Sequence, residues 1–116
     1  MKTAITLQVR ISPLLLSELR EQAEATLYDA SHDTSITAAD VSLAHKLLDG
    51  NGIINITKPE AASLYNEMFG LEDRVAEWTG DSDGFKWHAV HRSMMKHLER
   101  LRGLGIETNS RGWAIK

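Results

Sequence analysis

The residues best suited to chemistry lie near the C-terminal end. Lys86, Arg92, Lys96, Arg100, Arg102, Arg111 and Lys116 meet only Glu99 and Glu107 across residues 85–116, a net charge of +5. Residues 1–84 carry six basic and fourteen acidic side chains, a net of −8. A polyanion is drawn to one end of such a chain and repelled by the other. At about 100° per residue, Ala89, Arg92, Ser93, Lys96 and Arg100 share one side of a helix. From there long cationic side chains reach phosphates or guanine edges, and the small Ala89 permits close approach. The same i, i+4, i+8 row of cations also describes an ordinary solvated helix face, with Glu99 available for pairing.

Other chemistries find less support. His88 and His91 stand at i, i+3, a spacing that can hold a metal, but no carboxylate stands at matching spacing. A structural or groove-lining role is expected for them, and no metal or cofactor. Asp81 and Asp83 resemble the start of a calcium loop, yet its fifth place is Phe85 and its twelfth Arg92, so a solvated turn is expected. There is no phosphate-cradling glycine loop, no nucleophile elbow and no carboxylate pair that can be placed in a cleft. Cysteine is absent, which removes disulfides, thiolate metal sites and cysteine nucleophiles together. No catalytic residue is assigned, and an enzyme is not expected.

The elements that must position the basic face can be read from periodicity. The chain has 116 residues, 42% of them hydrophobic and 25% charged, which fits one domain. Ala4 to Ile11 alternates, with Ile5, Leu7, Val9 and Ile11 on one side and Thr6, Gln8 and Arg10 on the other, as in a half-buried strand. Ser12-Pro13 opens a helix with serine as N-cap, and its stripe is Leu16, Leu19, Ala23, Leu27 and Ala30. Thr37 and Asp40 form a capping box ahead of a short helix with Val41, Ala44, Leu47 and Leu48. Gly50-Asn51-Gly52 turns the chain into a short strand at Ile53–Ile56.

Thr57-Lys58-Pro59-Glu60 is a full capping box with proline in the first turn. It starts a helix that buries Ala61, Leu64, Tyr65 and Met68, with Gly70 read as its end. A second short helix then carries Leu71, Val75 and Trp78, and an acidic loop follows at Gly80–Gly84. The last helix spans about 85–104, with Trp87, Val90, Met94, Leu98 and Leu101 on its apolar face, and Gly105 ends it. Ile106–Thr108 and Trp113–Ile115 flank Asn109-Ser110-Arg111-Gly112 as a hairpin. The expected fold class is α+β, helix-dominated: an N-terminal strand and two helices over 1–52, a packing or dimerisation part, and then a helical module over 53–116 ending in a β-hairpin.

Residues 53–116 resemble the winged helix-turn-helix output domains of bacterial response regulators. Ile56-Thr57-Lys58-Pro59-Glu60-Ala61-Ala62-Ser63-Leu64 looks like their first helix. His97-Leu98-Glu99-Arg100-Leu101-Arg102, Ile106-Glu107-Thr108 and Arg111-Gly112-Trp113-Ala114-Ile115 look like recognition helix and wing. Gly112-Trp113 replaces the wing's usual Gly-Tyr, the turn before it is spaced differently, and no receiver domain precedes it, so only the DNA-binding module is implied. The resemblance makes the Asp81-Ser82-Asp83 loop the candidate contact for a protein partner. The start, residues 4–25, is similar to ribbon-helix-helix repressors, which pair strands across a dimer. The alternative is an ordinary edge strand that pairs with the hairpin or with Ile53–Ile56.

Two functions follow as expectations. One is a small cytoplasmic regulator, a possible homodimer, that binds duplex DNA through Arg92, Ser93, Lys96, Arg100 and Arg111. The other is a protein-interaction module, an inhibitor or adaptor of the phage or mobile-element type whose acidic half blocks a nucleic-acid-handling protein. No membrane association is expected: no segment reaches the roughly 18 apolar residues of a span, and Met1-Lys2-Thr3-Ala4 leads into no secretory apolar run.

Overall fold

The computed structural model describes residues 6–80 and 84–115. Its order is β1 (Thr6–Arg10), α1 (Pro13–Asp29), α2 (Ala38–Asp49), β2 (Ile53–Thr57), α3 (Lys58–Trp78) and α4 (Gly84–Arg102), with a C-terminal hairpin closed by a bridge between Thr108 and Ala114. The fold is α+β and helix-dominated. α1 packs on α2, α2 on α3, and α3 on α4, and α4 also touches α1.

β1 pairs antiparallel with β2 in the register Thr6↔Thr57 to Arg10↔Ile53. Of the pairings open to the first strand, the one with Ile53–Ile56 is realised within the chain. The alternation explains why: Leu7 meets Ile56 and Val9 meets Ile54, so both strands send branched apolar side chains to the same face. Gln8 and Arg10 are exposed on the other face, and Ile5 lies outside the described residues.

Both capping boxes form. The Thr37 N–H donates to the Asp40 carboxylate (2.9 Å) while Asp40 N–H donates to Thr37 Oγ1 (3.2 Å). At the start of α3, Thr57 N–H donates to Glu60 Oε1 (2.9 Å) and Glu60 N–H to Thr57 Oγ1 (3.4 Å). Ser12 behaves differently from expectation. Its carbonyl accepts from Leu16 N–H (2.8 Å), but its hydroxyl makes no cap bond and is buried without a hydrogen-bond partner. It lines a cleft shared with the first turns of α4. The C-terminal end of α2 is held from α1, where Arg20 donates from Nε to Leu47 O (3.0 Å) and from Nη2 to Gly50 O (2.5 Å). A guanidinium there satisfies orphan carbonyls and complements the helix dipole.

The stripes shift slightly from their sequence reading. α1 buries Leu15 together with Leu16, Leu19 and Ala23, and Ala30 is the residue after its end. In α2 the buried positions are Asp40, Leu43, Ala44 and Leu47, while Val41 and Leu48 stay half-buried. The last helix stops at Arg102, two residues short of the expected end, and the chain turns through Gly105 at φ +84°.

The largest correction concerns Gly70. It does not end a helix: α3 runs unbroken for 21 residues, and the two expected helices are one. The buried positions Ala61, Leu64, Tyr65, Met68, Leu71 and Val75 recur every three or four residues across Gly70 in a single phase, and that burial outweighs the glycine's roughly 1 kcal/mol helix penalty. A Cβ on Gly70 would meet only the Trp113 ring, at 3.4 and 3.7 Å, an ordinary contact. Gly70→Ala should therefore stabilise the protein by about 0.5–1 kcal/mol, raising the thermal midpoint by about 2–6 °C. A lower midpoint would mean that Gly70 terminates the helix after all.

Candidate nucleic-acid interface

α4 is amphipathic along its whole length. Val90, Met94, Leu98 and Leu101 are buried toward the core, and Trp87 packs on Trp78 of α3 with ring centroids 4.7 Å apart, securing the N-terminal end. Opposite that stripe stand Phe85, Ala89, Arg92, Lys96, Glu99 and Arg100, all exposed, with Lys86 exposed at one margin. Among the described residues, Lys86, Arg92, Lys96 and Arg100 form no salt bridge. The helix of 19 residues is about 28 Å long, enough to lie through a major groove.

The two margins of α4 are tied down. On one, His91 Nε2 lies 3.0 Å from Glu72 Oε1 of α3. The hydrogen bond from His91 holds the Glu72 carboxyl below the usual range despite partial burial, with Asp73 and the His91 charge adding to the effect. On the other margin His97 is half-buried, and its Nε2 has no hydrogen-bond partner. Burial first, then nearby Arg100, push the imidazole below its ordinary pKa, against the raising effect of a backbone bond to Arg10. The lowered pKa favours the neutral imidazole, so His97 adds little to the positive face. Ser93 is half-buried at this margin rather than on the open face.

Not every arginine near the end of α4 is free. Arg102 Nε donates to Tyr65 Oη (3.0 Å), and its guanidinium sits 5.5 Å from the Tyr65 ring centre. Tyr65 stacks on Phe69 (5.8 Å between centroids), and Phe69 meets Trp113 edge-on (4.7 Å). This row of side chains leads from the end of α4 to the hairpin.

The hairpin is docked on α3. Asn66 donates from Nδ2 to Ala114 O (3.2 Å) and accepts at Oδ1 from Ala114 N–H (2.7 Å), so one side chain pairs with the strand as a neighbouring strand would. Trp113 covers Gly70 and Phe69 and so packs the hairpin on the domain. At the tip, Asn109 Oδ1 accepts from Arg111 N–H (2.9 Å) and Trp113 N–H (3.1 Å), and Gly112 N–H closes the turn on Asn109 O (3.0 Å). Gly112 has φ +91°, and a Cβ there would stand 3.0 Å from Phe69. The Arg111 side chain is exposed on this fixed turn.

The structure therefore brings Arg92, Lys96 and Arg100 to one open face and places Arg111 on a separate element held by α3. Sequence reasoning missed Phe85, 81% exposed in the first turn of α4, and counted Lys86 in the charge of the C-terminal end without placing it beside the basic face. A wheel of the helix shows both. The capture of Arg102 by Tyr65 had no local signal. Asp81 and Asp83, named for a partner loop, lie outside the described residues, as does Lys116. His88 is exposed, and His91 is engaged with Glu72.

No protein-family model matches this chain, and comparison with curated proteins and with solved structures finds no significant match. Among the described residues, no helix is long and apolar enough to cross a membrane.

Proposed function

We propose that this protein is a small regulator that binds duplex DNA, with the open face of α4 in the major groove and the hairpin tip against the backbone. The observation that carries this reading is the set of four exposed cations on α4, Lys86, Arg92, Lys96 and Arg100, with no carboxylate paired to any of them among the described residues. Unpaired cations along a rigid rod can neutralise successive phosphates, and a firmly docked turn can fix register through Arg111. The winged-helix resemblance supports the same use of the helix and hairpin.

The test is fluorescence anisotropy on random-sequence duplexes across a salt series. Affinity should fall on a log–log plot with a slope of about −0.9 per neutralised phosphate. Replacing Arg92, Lys96 and Arg100 together by alanine should flatten that slope by up to about 2.7 and weaken binding at least tenfold. Unchanged binding in the triple variant would sink the reading.

A second reading rests on Phe85 and Met95, 81% and 39% exposed beside the cations. An aromatic and a methionine among arginines suit a protein-binding face. It predicts no measurable DNA affinity even at low salt and a stable complex with an acidic protein partner.

A further inference from the structure

The outer face of α1 is the electrostatic counterpart of the outer face of α4. Opposite its buried residues Leu15, Leu16, Leu19 and Ala23, α1 turns Leu14, Ser17, Glu21, Glu24 and Tyr28 to solvent. Glu21 and Glu24 have no ion-pair or hydrogen-bond partner among the described residues, and the only cation of the helix, Arg20, is engaged with α2. An acidic helix face and a basic helix face thus both stand open on one molecule.

Their placement matters as much as their sign. The first turns of the two helices meet at a shallow cleft lined by Ser12, Pro13 and Leu14 from the α1 side and Lys86, Ala89 and Val90 from α4. Counted from that seam, each helix carries its charges at similar intervals along its own axis. Glu21 and Glu24 follow Leu14 by seven and ten residues, about 10 and 15 Å along the axis. Lys96 and Arg100 follow Ala89 by seven and eleven residues, about 10 and 16 Å along the axis.

We infer that two copies of this chain associate about a two-fold axis that passes along the seam, with α1 of each copy against α4 of the other. Such an axis sets Glu21 opposite Lys96 and Glu24 opposite Arg100, twice over. It gathers Leu14 (37% exposed), Phe85 (81% exposed) and Ala89 near the centre. An apolar centre with charged flanks is the usual anatomy of an interface, and the isologous arrangement closes at two copies instead of growing into a filament. The same contact covers the α4 face, so dimerisation and any polyanion compete for it. The inference does not rest on DNA binding, and its test uses none.

The test is sedimentation velocity over a concentration series, with circular dichroism to confirm that each variant is folded. The wild type should dimerise, and the dimer should weaken at about 0.5 M salt, where flanking charges are screened. The variants Glu21→Arg/Glu24→Arg and Lys96→Glu/Arg100→Glu should each raise the dimer dissociation constant at least tenfold. An equimolar mixture of the two should recover a heterodimer of near wild-type affinity, because every reversed charge then meets its opposite in both halves of the interface. A monomeric wild type at low salt, charge-reversed variants that still self-associate as tightly, or a mixture that stays monomeric would each overturn the proposal.

Discussion

Glu60→Ala is expected to lower the unfolding free energy by about 3 kcal/mol, measured by urea denaturation at neutral pH. The carboxylate is 3% exposed and joins three elements. It accepts from Thr57 N–H at the start of α3, from Ser42 Oγ of α2 (2.7 Å) and from Lys46 Nζ of α2 (2.7 Å), and that same ammonium donates to Asn55 O of β2 (2.7 Å). Alanine removes the cap and leaves Thr57 N–H and Ser42 Oγ without their acceptor. Lys46 is 36% exposed, so its charge hydrates instead of remaining stranded, which keeps the loss toward the low end of what a broken buried pair costs. A loss below about 1 kcal/mol would show that the junction of α2, β2 and α3 does not depend on this carboxylate.

The same residue gives a pH signature. Burial pushes the Glu60 carboxyl up, but the Lys46 ammonium, the Thr57 N–H and the Ser42 hydroxyl outweigh it and hold the pKa below the ordinary value. A carboxyl lowered in the folded state binds its proton more readily when unfolded. Its contribution to stability is therefore complete above the unfolded pKa, roughly 4.3, and is lost as pH falls through the lower folded value. Wild type should lose stability in that acid window more steeply than Glu60→Gln. Parallel stability–pH curves would assign the acid sensitivity to other carboxylates, Glu72 first among them.

Gly52→Ala is expected to cost about 3 kcal/mol, an effect of similar size with a different origin. Gly52 is buried at φ +95°, where a side chain is strained by itself. A Cβ would also stand 2.8 Å from Ile11 O, while Gly52 O accepts the Ile11 N–H at 2.7 Å. The backbone leaving β1 and the turn entering β2 are thus pressed together, and neither can withdraw without breaking that bond. Gly105 supplies the control: its φ is +84°, yet a Cβ there meets nothing within 4 Å. Gly105→Ala should cost only about 1 kcal/mol, the strain alone. Equal losses at the two sites would mean that the close approach to Ile11 is relieved elsewhere.

Both residues bear on the candidate interface through the scaffold. β2 and the capping box set the start of α3, and α3 carries most of what positions the basic surface: the buried stripe under α4, Glu72 against His91, Asn66 against the hairpin and Tyr65 against Arg102. Damage at Glu60 or Gly52 should loosen this frame without removing any exposed cation. Binding lost in those variants and regained on cooling would mark a scaffold effect, whereas the loss in the Arg92/Lys96/Arg100 variant should persist at every temperature.

The sequence by itself determined what short-range physics controls. Alternation placed β1 and assigned its faces, because side chains point to opposite sides at every step of a strand. The Thr37/Asp40 and Thr57/Glu60 pairs located two helix starts to the residue, because a capping box is complete within four positions. The period of Val90, Met94, Leu98 and Leu101 fixed the buried face of α4 and, by opposition, its row of cations.

Only the tertiary structure decided the rest. Gly70 has the composition of a helix stop, but its fate turned on an apolar stripe that continues past it and on Trp113, 43 residues away in sequence, lying over it. Ser12 has the composition of a cap, but its hydroxyl is buried beside α4. Arg102 and Arg100 look alike along the chain, yet Tyr65 holds one and leaves the other open. Each outcome depends on a partner distant in sequence, and the energy that decides it, a buried contact or a hydrogen bond of about 1 kcal/mol, is as large as the local preference it overrules.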